Sequence, residues 1–324
     1  MSDAERVAEW GDCDQCPNDK KPKLFIPVSS LFVRDLFPSA YSGPMIALVL
    51  AGFSATMYGI SDFLGGIFSK SVSPWRVAAV GQTSSTLVTA VMAAGMSLAG
   101  SGGSATGADF LWAMFAGLGS GIGAAFLYRG LARAKMNVVA PISAVGCALL
   151  PVAVGFGLGD RPGLLAVVGI IVAFPAIWLV AQTTDNDPSH SGGVLDGVFA
   201  GIGFGLMLAA LAQVDPDAGM WPVVSMYVVS ALSVAVIALI LGHGLMPRNR
   251  TELRPLLLGL VGAPAALAFY YATHYGLLSI VSVITSLYPA VTVILAAIIL
   301  RERVNRTQGI GLAMAVVAVV FVAW

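Results

Sequence analysis

In the stretch "MYGISDFLGG", Asp62 is the only carboxylate well inside an apolar segment of this chain. A carboxylate in hydrocarbon is costly unless it pairs, faces water or takes up a proton, so it is a functional candidate by default. Its chemistry would be proton coupling or cation binding. The competing reading is an interfacial aspartate one turn from a helix end, facing headgroups. Tyr58 stands in the same stretch. His274, in "FYYATHYGLL", could carry a second proton near neutral pH, or it is a hydrogen-bonded packing residue near a helix end. Tyr270, Tyr271 and Tyr275 flank it and either line a cavity or join an aromatic belt at the interface. Gln82, Ser84 and Ser85, then Ser143, then Thr285, Ser286 and Tyr288 add neutral hydrogen-bonding groups within apolar runs. The candidates for substrate binding or coupling are therefore Asp62, Tyr58, Gln82, Tyr128, Ser143, Tyr270, His274, Thr285 and Tyr288.

Other features bear on packing. Pro141, Pro151 and Pro289 each free a backbone carbonyl within a helix, to be satisfied by a neighbour or a ligand. "GLGSGIG" (117–123) has the look of a phosphate loop but follows no strand. Gly117/Gly121, Gly119/Gly123, Gly197/Gly201 and Gly201/Gly205 read instead as small-xxx-small pairs that let helices approach closely. Trp75, Trp112, Trp178, Trp221 and Trp324 lie near segment ends and read as belt anchors. Three cysteines cannot form a disulfide framework. Cys147 reads as a small packing residue, and Cys13-x-x-Cys16 has no second ligand pair. Catalytic groups, cofactors and metals are not expected.

The elements that must position these groups follow from composition. The chain has 324 residues, 57% hydrophobic and only 10% charged, where a soluble domain carries roughly 25% charged residues. Net charge is zero, so no basic field favours nucleic acid. Ten apolar segments can be drawn, at about 44–66, 75–99, 109–130, 137–158, 162–182, 193–213, 220–242, 253–275, 279–300 and 306–324. Runs of about 20 apolar residues match the thickness of a bilayer. All must be helices, because lipid offers no partner for exposed amides. Residues 1–43 hold 12 of the 34 charges and read as a flexible tail rather than a signal peptide, since they lack an apolar h-region. The expected class is an all-α, multi-pass membrane protein.

Sliding the chain by 142 residues lays "LYRGLARAKMNVVAPISAVGCALLPVAVGFGLGDR" (127–161) over "FYYATHYGLLSIVSVITSLYPAVTVILAAIILRER" (269–303). Tyr128 falls on Tyr270, Ser143 on Thr285, Asp160 on Glu302, Arg161 on Arg303 and Gly169 on Gly311. "LAGFSAT" (50–56) likewise matches "FAGIGFG" (199–205). The chain therefore reads as two five-helix units, 44–182 and 193–324. Five is odd, so the second unit starts from the opposite side and the repeats are inverted, an arrangement characteristic of secondary transporters. The paired charges at 160–161 and 302–303 read as interfacial helix caps, with substrate contact as the alternative.

"GLLSIVSVITSLYPAVTVILAAIILRERVNRTQGIGLAMAVVAVV" resembles the closing stretch of an EamA-type repeat in the drug/metabolite transporter superfamily. The elements that carry the resemblance are Leu287 and Pro289, Glu302 and Arg303, and Gln308 and Gly311. The first repeat departs from the pattern: Cys147 stands where Pro289 would map, Asp160 replaces the glutamate and Ala166 the glutamine. The resemblance implies ten helices and a substrate range from amino acids and other metabolites to toxic cations.

Loops after the odd-numbered segments carry eleven Lys and Arg (Lys70, Arg76, Arg129, Arg133, Lys135, Arg248, Arg250, Arg254, Arg301, Arg303 and Arg306), and the others carry one, Arg161. That bias puts the odd loops in the cytoplasm and both termini outside. The basic residues of the tail oppose it, as does family analogy. The leading expectation is a multi-pass protein of the inner or plasma membrane that exports or exchanges a small organic solute by alternating access, driven by protons or counter-exchange. Its partners are the solute and the lipid bilayer, with oligomeric state open. The alternatives are a sensor or scaffold acting through the tail, and an intramembrane enzyme, for which Asp62 and His274 do not supply a catalytic set.

Overall fold

Long apolar runs must satisfy their own amides in lipid. In a computed structural model, which describes residues 43–133, 136–180, 193–301 and 304–323, the regular elements are accordingly all helices. They are α1 (Gly43–Ser69), α2 (Pro74–Leu98), α3 (Gly107–Arg133), α4 (Met136–Leu158), α5 (Leu164–Val180), α6 (Gly193–Leu211), α7 (Trp221–Ile240), α8 (Leu256–Tyr275), α9 (Leu278–Thr285), α10 (Tyr288–Ile299) and α11 (Arg306–Ala323). Among the described residues, six stretches are long and apolar enough to cross a bilayer: Gly43–Ser69, Pro74–Leu98, Gly107–Ala132, Trp221–Ile240, Arg250–Tyr275 and Leu278–Ile299. Four apolar helices are shorter, at Ile142–Leu158, Leu164–Val180, Leu195–Leu211 and Arg306–Val322. The tail with Cys13 and Cys16, the Glu302–Arg303 pair and Trp324 lie outside the described residues.

One expected segment, 279–300, is two helices. Pro289 has no amide to give and its ring opposes the carbonyl four residues back. The chain therefore ends α9 at Thr285 and restarts at Tyr288, with proline in the first turn where it is tolerated. Two other helix starts use capping boxes. Asp109 accepts from the Thr106 amide at 2.8 Å and hydroxyl at 2.6 Å at the head of α3. Gln308 accepts from the Asn305 amide at 2.9 Å at the head of α11, which gives the glutamine of the sequence motif a structural task.

Inside and outside are distinguished by size more than by polarity. The buried core is rich in alanine, with Ala51, Ala113, Ala116, Ala173, Ala263 and Ala265 fully enclosed. Leu87, Val91, Ile298 and Val316 point outward. Lipid is as apolar as leucine, so helices associate through close packing of small residues. The glycines show it. Gly117 and Gly121 lie against Met226, Val229 and Ser233 of α7, while Gly119 and Gly123 face Gly203 and Phe204 of α6. Gly197, Gly201 and Gly205 lie against Ile142, Gly146 and Leu150 of α4. All four spaced pairs are helix contacts.

The packing has a regular plan. Helix α3 packs on α6 and α7, and α8 packs on α1 and α2. Helix α4 packs on α6, as α9 and α10 do on α1. Three further contacts join α2 to α7, α4 to α9, and α5 to α11. In the last, Gly169 lies against Ala318 and Val322, and Gly311 lies against Ala176 and Val180.

Charged groups sit at helix ends. At one end Arg76 pairs with Glu252 at 2.8 Å, and Arg129 donates from Nε to Asp196 Oδ1 at 2.9 Å while lying over the Phe126 ring. Asp109 lies at the opposite end of α3 from Arg129 and also accepts from the Asp215 amide at 2.8 Å. Asp160 accepts from the Ser279 amide at 2.8 Å, and Arg161 donates to the Asp160 carbonyl at 2.8 Å. Trp112, Trp178 and Trp221 are exposed, as belt residues are. Trp75 is not: it is buried and stacks on His243 at 5.2 Å. The short turn after α1 folds it inward, which proximity to a segment end does not reveal.

Candidate functional site

Asp62 lies seven residues before the end of α1, about 10 Å in from that end at ~1.5 Å per residue. No hydrogen bond or ion pair to it occurs among the described residues. It borders a partly open cavity whose empty space, counted with the opening, is about 710 Å³. Helices α1, α2, α3, α4, α6, α7, α8, α9 and α10 all contribute to its wall.

Glycines set the wall's geometry. At Gly59, a Cβ would come within 2.5 Å of Val291 Cβ and 2.7 Å of the Tyr288 carbonyl, so only glycine lets α10 lie this close to α1. That approach carries Tyr288 to the cavity and is tied by the Thr292 hydroxyl, which donates to the Gly59 carbonyl at 3.1 Å. Gly65 makes room for the Tyr128 ring, whose Oη a Cβ would meet at 2.9 Å. Tyr227 crosses from α7, its hydroxyl donating to the Gly262 carbonyl at 2.8 Å.

Six of the nine sequence candidates line this cavity: Tyr58, Asp62, Gln82, Tyr128, Thr285 and Tyr288. Three of them bring buried polar atoms without a protein partner, namely Tyr58 Oη, Gln82 Oε1 and Thr285 Oγ1. Buried polar atoms are ordinarily satisfied, so a cluster of unsatisfied ones on a cavity wall marks a place for a polar ligand or water. Ser143 is fully buried with an unpartnered hydroxyl but does not line the cavity. Tyr270 and His274 stand elsewhere. The Tyr270 hydroxyl donates to the Asp215 carbonyl at 2.6 Å, and His274 packs edge-on against its ring at 4.5 Å. Tyr271 and the more exposed Tyr275 flank that cluster.

Sequence reasoning passed over Tyr227, Phe204, Ser61 and Ser120, which also line the cavity. A tyrosine amid the apolar residues of "WPVVSMYVVS" was the available signal for the first. Cys147, read as a packing residue, is buried on the cavity wall, with the Ser286 hydroxyl 3.7 Å from its sulfur. Among the described residues no group of three or more His, Cys, Asp or Glu side chains could hold a metal ion.

Residues 190–324 match the model of the EamA-like transporter family. One solved structure, described simply as the crystal structure of a protein, resembles this one with a TM-score of 0.65 and 16% identity, over 85% of this chain and 95% of that one. At that identity the likeness is one of fold alone. No curated protein matches the chain. The match is to transporters, which sets aside the intramembrane enzyme. Residues 190–324 of this multi-pass membrane protein are thus similar to EamA-like transporters, and movement of small molecules across a bilayer is the class of function that the similarity supports.

Proposed function

We propose that the chain is a secondary transporter of ten spans, arranged as two inverted five-helix repeats (44–182 and 193–324), that exports or exchanges a small organic solute across the inner or plasma membrane. The solute occupies the cavity between the halves, and Asp62 couples its movement to protons or to a counter-solute. The observation that carries this reading is the meeting of an unpaired carboxylate with Tyr58 Oη, Gln82 Oε1 and Thr285 Oγ1, all unpartnered, on one wall built by both halves.

Packing supports the inverted repeat. Counting α9 and α10 as one span, the main contacts between halves recur when the halves are exchanged, while the lesser contact of that span with α5 has no counterpart of like extent between α4 and α11. The third helix of each half lies on the first and second of the other, the fourth lies on the first, and the second, fourth and fifth pair with their counterparts. The residue-level case is sharper. A shift of 142 converts Gly169 against Ala318 and Val322 into Gly311 against Ala176 and Val180, read from the other side. A two-fold relation in the membrane plane produces this reciprocity, and it gives two related states that alternate access to a central site. The tyrosine clasps also fit: Tyr128 reaches Gly65 near the end of the first helix of its half, and Tyr270 reaches Asp215 just past that of the other.

The four polar ties at the ends, Arg76–Glu252, Arg129–Asp196, Asp109–Asp215 and Asp160–Ser279, each join one half to the other. In alternating access the ties at one end release while those at the other hold. Purified protein in liposomes tests the reading. Wild type moves an amino acid, polyamine or cationic drug under an imposed gradient, and Asp62→Asn loses gradient-driven movement while retaining exchange. No movement of any of these solutes overturns the carrier, and unchanged transport by Asp62→Asn overturns the coupling role.

A further inference from the structure

We propose that the cavity takes a small monovalent organic cation, an amine or quaternary ammonium on an apolar or aromatic body. This rests on the reading of the cavity as the solute site and narrows it. Asp62 is the only charged side chain among those that line the wall. Of the basic residues on the lining helices, Arg76 pairs with Glu252 and Arg129 with Asp196, and Arg133 is the last residue of α3. His274 lies twelve residues beyond Gly262 on α8, about 18 Å along the axis. An anion therefore finds no counter-charge in the cavity, and a zwitterion brings a carboxylate to a site that already holds one.

The rest of the wall suits a cation. Tyr58, Tyr128, Tyr227, Tyr288 and Phe204 make it strongly aromatic, and ring faces attract ammonium groups, most of all where water is excluded. The Tyr227 hydroxyl proton is committed to the Gly262 carbonyl, so Tyr227 offers a solute its ring and an oxygen that can only accept. Gln82 Oε1 is an acceptor without a donor, and the N–H of a protonated amine supplies one.

The test titrates the purified full chain in detergent with three probes: phenethyltrimethylammonium, its uncharged carbon isostere, and phenylalanine. Binding is read by calorimetry, and movement is followed in liposomes. The cation is expected to bind at least tenfold more tightly than either other probe, with the preference lost in Asp62→Asn and kept in Asp62→Glu. Equal or tighter binding of the isostere or of phenylalanine to wild type overturns the proposal without recourse to any variant. The two readings also fail separately. Cation binding that depends on Asp62, without movement in liposomes, upholds the cavity chemistry and refutes transport. Movement of phenylalanine with no binding or movement of the cation refutes the cation site and leaves the transporter.

Discussion

Adding one methyl group at Gly169 or Gly311 probes the two-fold relation on which the transport reading stands. A Cβ at Gly169 would lie 2.7 Å from Val322 Cγ2 and 2.9 Å from the Ala318 carbonyl. One at Gly311 would lie 2.6 Å from the Val180 amide nitrogen and 3.0 Å from the Ala176 carbonyl. Carbon contacts are favourable at about 3.5–4.0 Å, so α5 and α11 must part by roughly 1 Å in either case. Overpacking of this kind costs about 1–3 kcal/mol, and rigid backbone among the partners points to the upper part of that range. Alanine's better helix propensity returns up to about 1 kcal/mol, leaving each variant about 1–2 kcal/mol less stable. One outward movement of α11 relieves both clashes, so the double variant should lose clearly less than the sum of the singles. Gly309→Ala is the control: it lies on the same helix with open space around it and should be neutral or stabilising by up to about 1 kcal/mol. Equilibrium unfolding in mixed detergent micelles measures all four. A cost at only one of the two glycines, or a strictly additive double variant, would refute the reciprocal contact.

Two further outcomes are expected. Asp196→Asn leaves the Arg129 guanidinium beside Asp196 without its charge partner and should cost about 3–5 kcal/mol, whereas Arg129→Met with Asp196→Leu should recover most of it, as read by the same unfolding assay. In a background with Cys13 and Cys16 replaced by serine, Cys147 should react slowly with a small maleimide and more slowly still with the transported solute bound, because it is buried on the cavity wall; labelling indifferent to solute would count against the cavity as the solute site.

The amino-acid sequence alone determined a good deal about this protein. Its apolar runs required helices, because unpaired amides have no partner in lipid. The spacing of Gly117, Gly119, Gly121 and Gly123 announced tight helix contacts that the structure places against α6 and α7. Asp62 stood out because a lone carboxylate in hydrocarbon is costly. Which polar groups meet was decided only by tertiary structure. In a soluble helix a polar face and an apolar face tell inside from outside. Here both sides of each helix are apolar, one against lipid and one against protein, so hydrophobicity does not say where a side chain points. Tyr270 and Tyr128 correspond at the 142-residue offset, yet Tyr128 lines the cavity and Tyr270 closes on Asp215, as the proposed inversion, which would send matching residues toward opposite ends of the bundle, requires. Tyr227 and Cys147 reach the wall, and Trp75 turns inward, through the crossing of helices distant in sequence. The order of residues supplied the helices, and the crossing geometry of those helices selected the few residues that face the cavity.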